Sequence, residues 1–336
     1  MAEEFKRVLV LGSNSFTGGH FVEHVLKHSD CEVIGMSRSP EYEPVMLPYL
    51  YNQERSSRFT FHRLDVNRDL DEVMRVCDEF RPDLVYNLAA QGEVRNSWRW
   101  PEQWYETNCL GVVRLSSRLA ERDYVRRYIT ASTPEVYGAT GRDMKESHEY
   151  TPSTPYGASK LAGDLHLLTL FKRYGFPVIF TRAANVYGIH QQLYRIIPRT
   201  VIYARLGRKL SLHGGGRALR AFIHGRDVAA ATWLAAVKGA SGEVYHLAPE
   251  GELRTILSVV ELILELTGAS FEELVEMQDE NYGQDDCFSL DAAKAREELG
   301  WRTEVAFADG VEETARWIAD NWQTISKMEL DYVHKH

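Results

Sequence analysis

Residues 6–19 read Lys-Arg-Val-Leu-Val-Leu-Gly-Ser-Asn-Ser-Phe-Thr-Gly-Gly, and this stretch decides the fold. The apolar run before Gly12 predicts a buried parallel strand, and the pattern from His20 to Lys27 predicts a helix. A strand, a turn of small residues and a helix N-terminus together form a cradle for phosphate. The spacing is that of dinucleotide-binding turns, with Ser15 in place of the middle glycine. The sequence therefore predicts a dinucleotide at this turn.

Short apolar runs alternate with helical patterns through the first half of the chain. Strands are predicted at 32–36, 59–66, 82–90, 127–132 and 178–185, and helices at 69–80, 102–122 and 155–173. This alternation indicates an α/β fold built on a doubly wound parallel sheet of the Rossmann type. Such sheets bind their ligands at the carboxyl ends of the strands. The residues that follow the predicted strand ends should therefore meet at one rim.

The second half of the chain has a less regular periodicity. Helices are predicted at 191–206, 227–237, 256–267, 291–299 and 310–321, and short strands at 209–213, 219–224 and 244–248. We predict a smaller C-terminal α/β lobe that is interwoven with the sheet. The dinucleotide-binding domain would comprise residues 1–185 and about 225–250, and the substrate lobe residues 186–224 and 251–330.

The end of the second predicted strand bears on the choice of dinucleotide. Sites for NAD usually carry an acidic residue here, which binds the ribose 2′-hydroxyl. This chain has Ser37-Arg38-Ser39 instead. An arginine beside a hydroxyl suits a 2′-phosphate, so we predict NADP, with NAD as the alternative. Arg38 could also be a solvated loop cation with no role in binding.

Tyr156 and Lys160 stand one helical turn apart, at positions i and i+4. A positive charge near a phenol favours the phenolate, so the pair is suited to act as a general base. A hydroxyl such as that of Thr133 would then contact the same substrate oxygen. Tyrosine and lysine at this spacing are also common surface neighbours, so the assignment depends on the rim predicted above.

Composition excludes several other classes of protein. The chain has 336 residues and a net charge of −9, which argues against nucleic acid or an anionic membrane as a partner. No apolar run approaches the length of a membrane span, and the acidic start does not resemble a signal peptide. The four cysteines are widely separated, which predicts reduced thiols in a cytoplasmic protein without zinc or disulfides.

Two aromatic or histidine clusters have structural rather than chemical interpretations. His20 and His24 lie one turn apart behind the phosphate turn, where we expect packing and no metal. Trp98, Trp100 and Trp104 could stack on a nucleobase, but packing in the core or at an interface is the favoured interpretation.

Several motifs occur in a fixed order along almost the whole chain. They are Gly12-x-x-Ser15-x-x-Gly18, Asn87-Leu-Ala-Ala90, Ser132-Thr-x-Glu-Val-Tyr-Gly138, Tyr156-x-x-x-Lys160, Arg182-Ala-Ala-Asn-Val-Tyr-Gly188 and Arg220-Ala-Phe-Ile-His-Gly-Arg-Asp-Val228. In this order the chain resembles the extended short-chain dehydrogenase/reductases that act on nucleotide-linked sugars. Within that group it is most similar to the GDP-mannose and dTDP-glucose 4,6-dehydratases.

The resemblance implies a cofactor that stays tightly bound and is recycled, and roles for individual residues. The catalytic residues would be Thr133, Glu135, Tyr156 and Lys160. The cofactor would contact Gly12, Ser15, Phe16, Thr17, Gly18, Ser37, Arg38, Asp65, Val66, Leu88, Ala89 and Ala90, as well as Tyr156 and Lys160. A nucleotide-diphosphate sugar would be bound by Gln91, Ser132, Asn185, Arg195, Arg199 and Arg220. The helices with apolar stripes at 110–119 and 161–170 would pair in a four-helix homodimer interface.

The chain also departs from the dehydratase pattern. Between Thr133 and Glu135 the dehydratases carry Asp or Ser, whereas Pro134 has no proton to donate. Gly-Glu at 92–93 stands where they have Ser-His, and segment 283–288 lacks their basic residues. The expected reaction is C4 oxidation, loss of water across C5 and C6 with Glu135 as base, and hydride return to C6.

Other functions remain open at this point. A 4-epimerase, a 4-dehydrogenase or a uronate decarboxylase of the same group would not need a base at Glu135, and Pro134 favours these alternatives. A non-catalytic dinucleotide sensor is less compatible with the chain, because it would not need to keep Tyr156 and Lys160.

Overall fold

The computed structural model describes residues 4–138, 141–251, 253–278 and 287–335, with the backbone alone for residues 142 and 288. The strands are β1 Arg7–Leu11, β2 Glu32–Ser37, β3 Phe59–Arg63, β4 Leu84–Asn87, β5 Arg127–Ala131, β6 Gly141–Met144, β7 Val178–Ala183, β8 Asn185–Tyr187, β9 Leu210–His213, β10 Leu219–Arg220, β11 Phe222–His224, β12 Val244–Leu247, β13 Arg254–Thr255, β14 Val275–Gln278 and β15 Cys287–Leu290.

The helices alternate with the strands of the first half and dominate the second half. They are α1 Phe16–His28, α2 Leu70–Phe80, α3 Val94–Ser97, α4 Pro101–Tyr105, α5 Val112–Leu119, α6 Pro155–Tyr174, α7 Ile196–Leu206, α8 Gly225–Lys238, α9 Ile256–Thr267, α10 Phe271–Leu274, α11 Phe307–Asp320 and α12 Trp322–Ile325. A π turn at Glu106–Gly111 joins α4 to α5, and a 3₁₀ turn at Pro134–Tyr137 follows β5.

Seven parallel strands form the main sheet in the order β12-β7-β5-β4-β1-β2-β3. The side chains of β1 alternate between its two faces. Val8 and Val10 pack in one core with residues of α1 and α8, and Leu9 and Leu11 pack in the other with residues of α2, α5 and α6. Helices thus cover both faces, which confirms the predicted doubly wound Rossmann-type sheet.

Smaller sheets and a helical layer form the rest of the molecule. The sheets have the strand orders β13-β10-β15-β6, β11-β8 and β14-β9. Helices α7, α9 and α11 share an apolar core that includes Val201, Ile263 and Ile318. Because β6 comes from the first half of the chain and pairs with β15, the second half is interwoven with the first, as predicted.

Some predicted elements differ from the structure. The helix predicted at 191–206 begins only at Ile196, because His190 has φ +70° and Arg195 is extended as the N-terminal cap. The predicted helix 102–122 ends at Leu119 and is interrupted by the π turn. Strands β6, β14 and β15 had no prediction, because each has four residues and no clear alternation.

Within the described ranges, no helix is both long enough and apolar enough to span a bilayer.

Candidate active site

The turn between β1 and α1 brings backbone, rather than side chains, to the rim of the sheet. Gly12 has φ +83°, and a Cβ on Gly18 would lie 2.2 Å from the Gly12 carbonyl oxygen. Ser15 caps α1 by accepting a hydrogen bond of 3.1 Å from the Gly18 N–H. The first-turn N–H groups of Phe16 and Thr17 have no acceptor within the helix. This concave surface of glycines and N–H donors fits a dinucleotide diphosphate.

Asn14 fixes the loop after β2 against the phosphate turn. Its side-chain amide donates to the carbonyls of Ser39 and Pro40, at 3.1 and 2.9 Å, and its N–H donates to Ser37 Oγ at 3.3 Å. Arg38 is half-buried beside this junction and pairs with no carboxylate among the described residues. The structure therefore holds an uncompensated guanidinium at the end of β2.

The ends of β3 and β4 lie on the same rim. Asp65 accepts a hydrogen bond of 2.8 Å from the Asn67 N–H through one carboxylate oxygen, and Val66 packs against the core beneath it. After β4 the Ala89 N–H donates to Asn87 Oδ1 at 3.0 Å, which turns the backbone of residues 88–90 along the rim. The residues predicted to contact the cofactor here therefore lie at the carboxyl ends of neighbouring strands.

A π turn orients Gln91 and supplies a residue that the sequence did not indicate. The Gln91 N–H donates to Asn108 Oδ1 at 2.9 Å, while the Asn108 amide donates to the Gln91 carbonyl and to Ser159 Oγ, both at 3.0 Å. Asn108 lies in the turn Glu106–Gly111, and a Cβ on Gly163 would lie 2.4 Å from its carbonyl oxygen. Asn108 thereby locks the loop after β4 to α6.

The hydroxyl of Tyr156 lies near three other predicted site residues, Thr133, Glu135 and Arg195. Burial, and then the Glu135 carboxylate, raise its pKa, whereas a hydrogen bond with Thr133 and the charge of Arg195 lower it. The structure thus brings together the predicted base, its hydroxyl partner, a carboxylate and a cation. The Asp164 carboxylate raises the pKa as well, so the net shift of the Tyr156 pKa is upwards and favours the neutral phenol.

Lys160 lies one helical turn beyond Tyr156 and faces the end of β5. Its Nζ donates to the Ala131 carbonyl at 2.7 Å. Burial lowers the pKa of this lysine, and the Asp164 carboxylate opposes that effect. Lys160 is not among the main influences on the pKa of Tyr156 in this arrangement. Its Nζ is instead held by the backbone at the end of β5.

Glu135 is placed by two tight backbone features. Pro134 opens the 3₁₀ turn that carries it, and Thr133 caps this turn by accepting from the Glu135 N–H at 3.3 Å. Thr154, the cap of α6, donates to Glu135 Oε2 at 3.3 Å. A Cβ on Gly157 would lie 2.7 Å from the Glu135 carbonyl oxygen, so the turn and the helix are in close contact.

A buried polar network supports the site from behind. Asp164 accepts from Arg182 Nη2 at 3.1 Å and from Ser132 Oγ, and the arginine also donates to the Tyr137 hydroxyl. Tyr137 is in turn hydrogen-bonded to His246 Nε2 at 2.9 Å. The pair Arg182–Asp164 is 1% and 3% exposed. Ser132, predicted to contact substrate, is therefore engaged in this framework.

The other predicted substrate residues are spread around the cleft. Arg195 is exposed and stands close enough to influence Tyr156. Asn185 is exposed on β8. Arg220 is buried and its Nη1 donates to the Leu219 carbonyl at 2.8 Å. Only Arg195 of these is placed beside the catalytic group.

A pocket of about 740 Å³ opens next to α3 and joins the predicted Arg199 and Trp98 to residues that the sequence did not indicate, Arg95, Arg99, Tyr194 and Tyr332. Its walls combine these arginines and aromatic rings, which suit phosphates and a base, with the carboxylates of Glu93 and Asp331. Trp98 is 65% exposed at this pocket, whereas Trp104 is fully buried as the packing interpretation expected.

No group of His, Cys, Asp or Glu suited to a metal ion occurs within the described part of the chain. His20 is buried, and its Nε2–H donates a hydrogen bond to the Ile189 carbonyl at 3.2 Å.

Comparison with known proteins gives consistent similarities. A family model described as GDP-mannose 4,6 dehydratase matches residues 9–314. The dTDP-glucose 4,6-dehydratase of Haemophilus influenzae is 29% identical, over 94% of this chain and 98% of that protein.

Solved structures agree with this match. DesIV, a dTDP-glucose 4,6-dehydratase from Streptomyces venezuelae with NAD bound, has a TM-score of 0.86 at 30% identity, over 94% of this chain and 98% of that one. A UDP-glucuronic acid 4-epimerase from Bacillus cereus, in complex with UDP-glucuronic acid and NAD, has a TM-score of 0.82 at 26% identity, over 94% and 99%.

Fold, site and similarities define an NAD(P)-dependent enzyme of the extended short-chain dehydrogenase/reductase type, in the group of nucleotide-sugar dehydratases and epimerases. Within this group, the chain belongs to the GDP-mannose 4,6 dehydratase family. The resemblance seen in the sequence is thereby confirmed.

Proposed function

We propose that the protein is a nucleotide-sugar 4,6-dehydratase that keeps NADP bound and recycles it. The observation that carries this proposal is the convergence of Thr133, Glu135 and Arg195 on the Tyr156 hydroxyl. An oxidation at C4 needs a base at O4, and an elimination across C5 and C6 needs a second base nearby. The site offers both bases, with Glu135 on the 3₁₀ turn and Tyr156 on α6.

The glycine turn and the rim residues already described would hold the cofactor, with Arg38 at the 2′-phosphate and Lys160 at the nicotinamide ribose. When bound, NADP supplies the hydride acceptor for C4 and the hydride donor for C6. The uncompensated Arg38 supports NADP over NAD, because a dianionic phosphate would neutralise it.

For the oxidation, Tyr156 takes the proton from O4 while Thr133 donates a hydrogen bond to the same oxygen. Burial and Glu135 oppose formation of the phenolate, so it depends on nearby positive charge, for which Lys160 and Arg195 are the candidates. The resulting 4-ketone acidifies the proton at C5.

For the elimination, Glu135 takes the C5 proton and then transfers it to the C6 hydroxyl, which leaves as water. One residue must perform both transfers because Pro134 has no proton to give. The protons balance when the one held by Tyr156 after the oxidation replaces the one that C5 lost. Thr154 supports the carboxylate as a hydrogen-bond donor throughout.

The residues that would bind the substrate are proposed from their charge and their hydrogen-bonding groups. Arg195 would contact the sugar or its diphosphate beside Tyr156, and Arg199 and Arg220 would add positive charge. Gln91, Ser132 and Asn185 would bind sugar hydroxyls, for which Ser132 would have to exchange its contact with Asp164.

The test is to incubate the protein with GDP-, dTDP-, UDP- and CDP-sugars and to follow the products by mass. We expect loss of one water without net cofactor reduction. Glu135→Gln should lower water loss by about a hundredfold and retain C4 oxidation, seen as transient cofactor reduction. Thr154→Ser is the matched control, because it keeps the hydroxyl that donates to Glu135 and caps α6, and it should leave the rate of water loss nearly unchanged. If Glu135→Gln still releases water at the normal rate, the carboxylate has a structural role.

A second candidate, a 4-epimerase, is favoured by Pro134 and by the similarity to a UDP-glucuronic acid 4-epimerase. It would return the hydride to C4 from the other side and needs no acid at this position. A product of unchanged mass with inverted C4 would establish it and exclude the dehydratase.

Assembly, domain limits and location are also proposals. Tyr105, Leu110 and Leu165 are each at least 40% exposed on α4, the π turn and α6, which supports a homodimer through four helices. Light scattering would measure the mass of this homodimer.

We retain a cofactor domain of residues 1–185 and about 225–250 and a substrate lobe of 186–224 and 251–330. The four cysteines are free thiols, which supports a cytoplasmic location.

A further inference from the structure

Residues 331–335, the tail segment, cross the mouth of the cleft. The segment starts on the substrate side, where Asp331 pairs with Arg199 of α7 at 2.6 Å. Next, the ring of Tyr332 packs edge-on against Tyr194, with ring centroids 5.3 Å apart. Residues 333–335 continue from there towards the main sheet. The tail segment therefore contacts elements on both sides of the cleft.

His334 anchors the tail segment on the sheet side. Its imidazole is parallel to the rings of Trp100 and Trp104, with centroids 4.5 and 5.5 Å away. Its Nε2 lies 2.7 Å from Gln103 Oε1. Because Trp104 is fully buried, the imidazole rests on a fixed part of the core rather than on a mobile surface.

Lys335 is thereby brought to the end of β2. Its Nζ donates to Ser39 Oγ at 2.8 Å and to the Tyr42 hydroxyl at 2.7 Å. Its carbonyl accepts from Arg38 Nη2 at 3.1 Å and from Gln91 Nε2 at 3.0 Å. An ammonium, a guanidinium and two hydroxyls are thus gathered at one point of the rim.

The charge at this point is unbalanced. Neither Arg38 nor Lys335 pairs with a carboxylate of the described chain, and both are half-buried. The chain as a whole carries a net charge of −9, so two adjacent cations here are not a general property of its surface. Two cations and two hydroxyl donors are the groups that bind a phosphate monoester.

We propose that Lys335 is the second cation of the pocket for the adenosine 2′-phosphate, beside Arg38, and that the tail segment is the strap that delivers it. This inference rests on the proposed use of NADP. It adds Lys335, Ser39 and Tyr42 to the residues that distinguish NADP from NAD, and it makes His334 a positioning residue for Lys335.

The experiment compares two ligands that differ only in the 2′-phosphate, adenosine 2′,5′-bisphosphate and adenosine 5′-monophosphate, by calorimetry on the full chain after removal of its bound cofactor. Lys335→Ala should weaken the bisphosphate about tenfold, the usual effect of one charge-assisted contact, and change the monophosphate by less than about twofold. Lys327→Ala, which removes an exposed lysine from the same end of the chain, is the matched control and should change neither.

His334→Ala tests the strap. It should reproduce most of the loss caused by Lys335→Ala, and the double variant should lose little more than Lys335→Ala alone, because both changes remove the same contact. Equal weakening of both ligands, or tighter binding of either, would overturn the proposal. Tighter binding would mean that the segment obstructs the groove instead of completing it.

Arg38→Ala separates this inference from the proposed function. If Arg38→Ala weakens binding of the bisphosphate and Lys335→Ala does not, the proposed role of Lys335 and the tail segment is wrong, and the use of NADP stands. If neither change discriminates between the ligands, both are wrong. Since the assay contains no sugar nucleotide, its outcome is independent of whether water is lost from a substrate.

Discussion

The proposed oxidising corner of the site, Tyr156 with Lys160, and the proposed elimination corner, Pro134 with Glu135, are close in space but are held differently. The first lies on the 20-residue helix α6, which is tied to β5 by the contact from Lys160 to Ala131 and to β7 by the buried pair of Asp164 and Arg182. The second lies on a four-residue 3₁₀ turn.

This difference indicates the step at which the reactions of nucleotide-sugar dehydratases and epimerases can diverge. The proposed oxidation at C4 would serve a dehydratase and an epimerase alike, and the residues proposed for it are fixed by a helix and a buried network. The fate of the 4-ketone depends on a short turn whose carboxylate accepts a hydrogen bond of 3.3 Å from Thr154. In the proposed mechanism, a single substitution such as proline at 134 would therefore alter the second step and leave the first intact.

Tyr156→Phe should have the largest effect, because both corners depend on the ketone that it helps to form. We expect C4 oxidation to fall about a thousandfold, within the range for loss of a general base. Stopped-flow absorbance of the reduced cofactor in a single turnover measures it. Cofactor content should be unchanged, and oxidation near the normal rate would remove Tyr156 from the mechanism.

Asp164→Ala tests the support of the oxidising corner. It leaves the Arg182 guanidinium buried without its carboxylate, so the free energy of unfolding should fall by about 3 kcal/mol. Urea denaturation measures this change. The control is Glu312→Ala, which breaks an exposed pair with Arg316 and should change the free energy of unfolding by less than about 0.5 kcal/mol. Equal effects would mean that the buried network is not a support.

Gly157→Ala acts on the boundary between the corners. The new Cβ would lie 2.7 Å from the Glu135 carbonyl, so the turn must move relative to Tyr156. We expect water loss to fall about tenfold and C4 oxidation to fall less, because misplacing a reacting group by a fraction of an ångström slows only its own step. Quenched-flow analysis of intermediate and product masses separates the two rates. If water loss and C4 oxidation slowed equally, the separation of the site into two corners would be contradicted.

The smallest effect concerns pH. The Glu135 carboxylate raises the pKa of Tyr156, so Glu135→Gln should lower that pKa. The phenolate then forms at lower pH, and the rising limb of the rate of C4 oxidation should move by up to about one unit towards acid. A shift towards alkaline pH would show that the carboxylate does not act on the tyrosine through its charge.

The fold was largely accessible from the sequence because its signals are local. The apolar run at 6–12 contains β1, and the helix predicted at 256–267 coincides with α9. The short strands β6, β14 and β15 were missed because they are defined by partners far along the chain. Gly141 in β6, for example, pairs with residue 288.

The site was accessible in part for the same reason. Tyr156 and Lys160 share a helical turn, so their spacing shows in the sequence. Asn108 contacts Gln91 from a π turn, which has no sequence pattern, and Lys335 reaches Ser39 across 296 positions. The sequence could identify the chemistry of single residues, but not these long-range contacts.

The position of β12 at the edge of the main sheet bears on how the chain is made. Strand β12 pairs with β7, yet residues 184–243 lie between them. A ribosome therefore releases β8 to β11 before the sheet can close, and until residue 247 emerges β7 has a row of unpaired backbone groups. We expect a chain cut near residue 185 to aggregate rather than fold, so neither half should be obtained as a separate protein.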